Sequence, residues 1–267
     1  MHKSVKRKIA YRNRVQRQGR KVVLSPFDEE LTPEQRMERA IELSLLVTKM
    51  VTHVICHVIV DFREQLEEDE RLSVALAFLQ RVTTTHMCNH KLTAEGLVYE
   101  FQGQQFQLHE GYKTMALTRS VYEHLAMFYF LYEHPKSEEE RDVVWRYWQA
   151  NGKRNGSIEA VMNGDKYEVK RISYSQAWKF LFKNEETAEL YQHLSMHCHP
   201  VFDGLDQYQN QSACDQGDDS IPLYLSSSFL AHLCRLFLKL IPQHEKMIKG
   251  EFTDHELSVF RELAQII

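Results

Sequence analysis

The sequence predicts an all-α fold or very nearly so: a helical bundle with at most a small β-hairpin at residues 97–108. Three observations carry this. Two Thr-led capping boxes mark helix starts, at Thr32-Pro33-Glu34-Gln35 and Thr253-Asp254-His255-Glu256. Long segments repeat apolar residues at spacings of three and four, the period of a helix with one buried face. Alternating apolar and polar runs around an X-Gly pair, the signature of a hairpin, occur around Gln102-Gly103.

Taken in order, Thr32 supplies an N-cap oxygen, Pro33 suits the first helical position and Gln35 closes the box. The helix that follows is expected to reach about Gln65, with Leu43, Val47, Met50, Val54 and Val58 on one face. A second covers Glu70 to about His86, with Leu72, Leu76, Leu79 and Val82 on its stripe. Leu97–Phe101 and Gln104–Leu108 flank the X-Gly pair as hairpin strands. A long helix is predicted from about Tyr112 to Glu133, stopped by Pro135. Its second half, Ala126 to Tyr132, is apolar all round, which predicts the central buried element. Ser137 with Glu140 starts another helix through Trp145 and Trp148. Gly152 to Gly164 reads as a loop and Tyr167 to Ile172 as a short strand. Ser175–Phe182 and Glu185–Cys198 read as helices, the second stopped by Pro200. Asp203–Asp219, rich in Asp, Gln, Asn and Gly, reads as an exposed loop. A helix from Pro222 to about Lys246 follows, with Pro242 as its kink or end, and then the helix of the second capping box. No repeat or linker divides the chain, so residues 25–267 are expected to form a single helical domain.

Composition bounds the function classes. Five scattered cysteines with no CxxC predict reduced thiols and a cytoplasmic protein rather than a disulfide framework. The basic N-terminus lacks the apolar run of a secretory signal. Ile41–Phe62 is the most apolar long stretch, but Glu42, Lys49, His53 and His57 interrupt it. It is read as a packed helix, and no membrane association is expected.

Charge is unevenly distributed. Residues 1–24 contain nine cations (Lys3, Lys6, Arg7, Lys8, Arg12, Arg14, Arg17, Arg20 and Lys21) and no acid. The remainder keeps 24 basic and 37 acidic residues, a formal charge of −13. A basic, flexible arm on an acidic body suits RNA or another polyanion, or an acidic partner surface. A solvated leader with no partner is the alternative.

Chemistry concentrates in two segments. Arg119-Ser120-Val121-Tyr122-Glu123-His124 lies early in the long helix, and its Arg-x4-His spacing resembles the signature of the HEPN superfamily. These are helical proteins found among ribonuclease toxins and phage-defence factors. The resemblance implies metal-independent RNA cleavage, with Arg119 holding the scissile phosphate. His124 would then be the acid or base for attack by the 2′-hydroxyl, a role suited to its near-neutral pKa. The second segment is Leu194-Ser195-Met196-His197-Cys198-His199-Pro200. With Arg119-Ser120-Val121-Tyr122-Glu123 it resembles a family of uncharacterised bacterial helical proteins placed near HEPN, in which His199 rather than His124 would partner Arg119 and Glu123. Geometry offers the opposing reading. Five helical steps set Arg119 and His124 about 140° apart. Arg119 and Glu123, four apart, share a face and can simply form an ion pair.

The same histidines have a metal-binding alternative. His193 and His197 lie one helical turn apart with His199 just beyond, and His53/His57 and His86/His90 repeat the spacing. No HExxH pattern accompanies them, so neither a metal nor another cofactor is expected. Cations and aromatics interleave at Arg146-Tyr147-Trp148, Lys153-Arg154 and Lys170-Arg171, a composition suited to single-stranded nucleic acid or, equally, to a packed interface. The absence of P-loop, GxGxxG and GxSxG patterns argues against nucleotide-driven and serine-hydrolase chemistry. The expectation is a HEPN-like protein that binds or cleaves RNA, in toxin or phage defence, as a homodimer or within a larger complex. The alternative is a non-catalytic helical interaction module.

Overall fold

A computed structural model describes residues 31–95, 97–101, 103–108, 111–150, 158–162, 165–169, 177, 181, 190, 191, 194, 195, 220–241 and 250–265. The arm at residues 1–24 and the expected loop at 203–219 lie outside these residues, as does most of both helices expected between 175 and 198.

The first helix, α1 (Pro33–Asp61), begins at the expected box. Thr32 Oγ1 accepts from the Gln35 amide at 3.3 Å, and Gln35 Oε1 accepts from the Thr32 amide at 2.9 Å. It ends earlier than expected. Phe62 leaves helical geometry (φ −121°, ψ 26°), and the chain restarts as α2 (Arg63–Glu68). Asp69 then accepts from the amides of Arg71 and Leu72 at 2.9 and 3.1 Å, satisfying the first turn of α3 (Glu70–Glu95).

α3 continues nine residues beyond the expected end at His86. The run Thr83-Thr84-Thr85 looks unfavourable for a helix, yet each hydroxyl donates to the carbonyl four residues back, at 2.7–3.0 Å. Local satisfaction of the hydroxyls lets the helix carry polar residues into the core.

β1 (Leu97–Phe101) and β2 (Gln104–Leu108) form the expected antiparallel hairpin, in register from Leu97 opposite Leu108 to Phe101 opposite Gln104. Gly103 takes a φ of 75°, which explains glycine in that turn. α4 (Gly111–Tyr132) and α5 (Glu138–Ala150) follow, and Ser137 Oγ accepts from the Glu140 amide at 3.1 Å. A second hairpin, β3 (Ile158–Met162) with β4 (Asp165–Val169), corrects the loop expected over 152–164. Only its second strand was anticipated.

The largest departure concerns the centre. α4 is buried along Val121–Tyr132, but α6 (Ser220–Leu238) is the core helix: 17 of its 19 residues are buried. It packs against α1, α3 and α4 together. It carries Ser226, Ser227 and Ser228 into the core. Ser227 and Ser228 donate to the Leu223 and Tyr224 carbonyls at 2.8 and 3.1 Å, so their burial leaves no hydroxyl wanting. Pro222 sits in the first turn, where its missing N–H costs nothing. Leu238 ends the helix ahead of the expected Lys246.

α7 (Asp254–Leu263) closes the fold with the second capping box, Thr253 and Glu256 exchanging bonds of 2.8 and 3.2 Å. Lys49 of α1 donates to Glu256 at 3.0 Å, and His232 Nδ1 of α6 donates to the Ala264 carbonyl at 2.8 Å. Among the described residues α1 and α6 are long and apolar enough to cross a bilayer. α6 uses its apolar surface as core. α1 buries one stripe, from Ala40 through Val58, and exposes the other.

Candidate functional site

Arg119 and Glu123 lie one turn apart on α4, which places both side chains on one face. Nε and Nη2 of Arg119 both donate to Oε1 of Glu123, at 3.0 and 2.9 Å. The side chains are 15% and 20% exposed, so the pair is held largely away from water. Tyr191 closes a triangle: its hydroxyl accepts from Arg119 Nη2 at 3.2 Å and donates to Glu123 Oε1 at 3.1 Å. The guanidinium carbon also lies 5.4 Å from the Tyr191 ring centroid, a cation–π arrangement. Burial, reinforced by the Glu123 carboxylate, pushes the Tyr191 phenol up, so it remains a neutral donor.

Tyr191 stands three residues before the second motif segment, so the fold brings the chain leading into that segment against the first. The sequence reading gave Tyr191 no role. Its position three residues before Leu194, itself buried, was the available signal.

His124 is directed elsewhere. Its Nδ1–H donates to the Ser120 carbonyl at 2.7 Å, which leaves Nε2 as the acceptor of a neutral ring. The ring packs edge-on to Phe78 at 6.1 Å. Burial, with Arg81 adding repulsion, pulls the imidazole below its ordinary value although the Ser120 carbonyl acts against this. Its Nδ1–H is thus directed at the Ser120 carbonyl rather than into the Arg119–Glu123–Tyr191 triangle. His193, His197 and His199 lie outside the described residues, as do Lys6, Arg7, Lys8, Arg12, Arg14, Arg17, Arg20 and Lys21.

The other histidine pairs resolve into different roles. His53 and His57 have ring centroids 4.4 Å apart, and His57 Nδ1 meets Asp61 Oδ2 at 2.8 Å. His86 and His90 instead enter a chain of hydrogen bonds across three helices. His90 Nδ1 lies 3.0 Å from Ser44 Oγ, Ser44 Oγ 2.9 Å from His86 Nε2, and His86 Nδ1 2.8 Å from Ser226 Oγ. Neutral rings satisfy the whole chain in either sense, Ser226 to His86 to Ser44 to His90 or the reverse, each contact with one donor and one acceptor. Ser44, His86 and Ser226 are wholly buried, and desolvation holds His86 down at about 4. Nearby, Asn89 Nδ2 donates to Thr118 Oγ1 at 2.9 Å, and Thr118 reaches the Pro222 carbonyl at 2.9 Å. No group of three or more metal-type ligands occurs among the described residues.

Of the cation–aromatic stretches, Arg146 is exposed, whereas Trp148 packs against Phe78 and Trp145 at 6.0 and 5.3 Å. That is the packed-interface alternative for Trp148. Lys153, Arg154, Lys170 and Arg171 lie outside the described residues.

No family model, curated protein or solved structure matches the chain, so the site is judged on its geometry alone.

Proposed function

We propose that this chain is a non-catalytic helical interaction module, in which Arg119, Glu123 and Tyr191 tie the segment after the second hairpin to α4. The observation that carries this reading is the engagement of the Arg119 guanidinium. Two of its N–H groups are directed at Glu123, one of these nitrogens also meets Tyr191, and its plane lies over the Tyr191 ring. An RNA phosphate approaching this arginine meets a carboxylate that already neutralises it. His124 directs its Nδ1–H at the Ser120 carbonyl and not at Arg119.

One observation favours a second reading, a HEPN-like protein that binds or cleaves RNA. Tyr191 touches both Arg119 and Glu123, and His199 of the second motif segment follows it by eight residues. In that reading Arg119 positions the phosphate, Glu123 orients Arg119, and His199 with or in place of His124 transfers the proton. The cations from Lys6 to Lys21 hold the RNA, and toxin or phage defence is the expected setting.

One variant separates the two. Under the module reading, Arg119→Ala leaves Glu123 without its cation in a largely dry site. A thermal or chemical melt then records a loss of about 3 kcal/mol, the low end for a broken buried pair, and wild-type protein cleaves no RNA. Cleavage in the presence of chelator that Arg119→Ala abolishes, with the melt unchanged, overturns the module reading and establishes the nuclease.

A further inference from the structure

The junction of α1, α2 and α3 presents a surface that the packing leaves uncovered. Because α1 stops at Asp61 and α2 restarts in a new direction after Phe62, the last turn of α1 is not covered by a continuing helix. Ile59 is 43% exposed and Val60 74%, among the most exposed large apolar side chains described. They line an open depression of about 520 Å³ together with Leu66, Ser73, Arg63 and Glu67. An apolar depression at a helical corner is the form of a helix-in-groove site.

The rim supplies the chemistry of its occupant. Between positions 61 and 70 stand six carboxylates, Asp61, Glu64, Glu67, Glu68, Asp69 and Glu70, against one cation, Arg63. Arg63 is already bonded to Glu67 at 3.2 Å, and Arg71, the next cation along, is paired with Asp142. The depression is lined by apolar side chains, Ser73 and the Arg63–Glu67 pair, and the exposed segment 61–70 that forms its wall carries six acids to one cation.

We propose that this corner docks a basic amphipathic helix of a partner protein, with aliphatic side chains entering the depression beside Val60 and Leu66 and flanking Lys or Arg meeting the carboxylates. The proposal rests on the interaction-module reading and names its partner's chemistry. Other occupants fit poorly. Nucleic acid and an anionic lipid surface would be repelled by the same carboxylates. A second copy docked by this face would oppose acid to acid across a two-fold axis. The basic helix satisfies both the apolar lining and the acidic wall, and its attraction should weaken as salt rises.

The test uses the full chain and a fluorescent Leu/Lys peptide with Leu at i, i+3, i+4 and i+7, beside a scrambled peptide of the same composition. Anisotropy is expected to report binding of the amphipathic peptide only. Val60→Asp, at a position open enough to leave folding intact, should weaken it by about tenfold or more, the scale of an interface hot spot. Glu64→Lys with Glu68→Lys should weaken it and flatten its salt dependence. Equal binding of the scrambled peptide, or no effect of Val60→Asp, overturns the proposal. So does tighter binding of single-stranded RNA or anionic vesicles at the same corner, or self-association in sedimentation that Val60→Asp disperses. Failure of the peptide to bind while Arg119→Ala still destabilises retires the corner and keeps the module. Peptide binding together with Arg119-dependent RNA cleavage retires the module instead.

Discussion

At the scale of single residues, the buried polar groups are distinguished by what satisfies them. Arg119 has a carboxylate, a phenol and an aromatic face. His86 meets two serine hydroxyls and is wholly buried, so protonating it places a charge in the core. The consequence for stability can be worked out with its sign. His86 binds a proton near pH 6.5 when unfolded but only at about 4 when folded. Below pH 6.5 the unfolded chain therefore takes up the proton first, and stability is lost as pH falls towards 4. At 1.36 kcal/mol per pH unit, about 2 kcal/mol should go between pH 6.5 and 5. His90, His124 and His232 are lowered by burial too and act in the same direction. Urea midpoints at the two pH values check this. In His86→Gln the difference between them should shrink by about 2 kcal/mol; a pH dependence equal to that of the wild type would show that His86 is already charged in the fold. By the same desolvation, the Cys234 thiol is pushed up to about 12, so it should resist alkylation at neutral pH while exposed Cys56 and Cys88 react.

At the scale of elements, capped helix starts were more readable than helix C-terminal ends. Both capping boxes stand where Thr and the residue three beyond it indicated them. Each is a local arrangement of four residues, independent of what packs nearby. Removing one should have a local cost. Thr253→Ala is expected to destabilise by about 1 kcal/mol, whereas Ser258→Ala, exposed in the middle of α7, should leave the chemical melt almost unchanged. If the two variants melt alike, the box contributes nothing. Helix length was misjudged at the C-terminal ends: α1 stops at Asp61 short of Gln65, α3 runs past His86 to Glu95, and α6 stops at Leu238 ahead of Lys246. The Thr run in α3 and the Ser run in α6 lie inside their helices, because hydroxyls that return to the preceding turn are compatible with a buried helix. The third strand was missed because Gly152, Gly156 and Gly164 bracket Ile158–Met162, and glycine-rich flanks dominate a local reading.

At the scale of the whole molecule, α1, α3, α4 and α6 form the bundle, with α6 at its centre and α7 fastened to α1 and α6 by Lys49–Glu256 and His232–Ala264. Circular dichroism should be dominated by helix, and a strand-dominated spectrum would contradict the fold. The distribution of charge gives a separate expectation. If the nine cations of residues 1–24 seek polyanions, affinity for RNA should fall steeply with salt through counterion release. Deleting those residues should then weaken RNA binding without lowering the melting temperature. Salt-insensitive binding, or binding unchanged by the deletion, would rule out a phosphate-seeking arm.

The sequence by itself determined the fold class, both capping boxes, the first hairpin and the ion pair of Arg119 with Glu123. All of these depend on residues within about one helical turn, or across one tight turn, where geometry follows from spacing. The candidate site was half legible for the same reason. Its two α4 residues are neighbours by periodicity, but Tyr191 arrives from 68 residues beyond Glu123, and no spacing rule spans that interval. Only the tertiary structure decided that α6 rather than α4 occupies the centre, and that Ser44, His86 and Ser226 join three helices by one chain of hydrogen bonds. It also decided that the Tyr191 phenol joins Arg119 and Glu123. Burial and polar partnership depend on which surfaces meet, and helices distant in sequence meet only when the bundle closes.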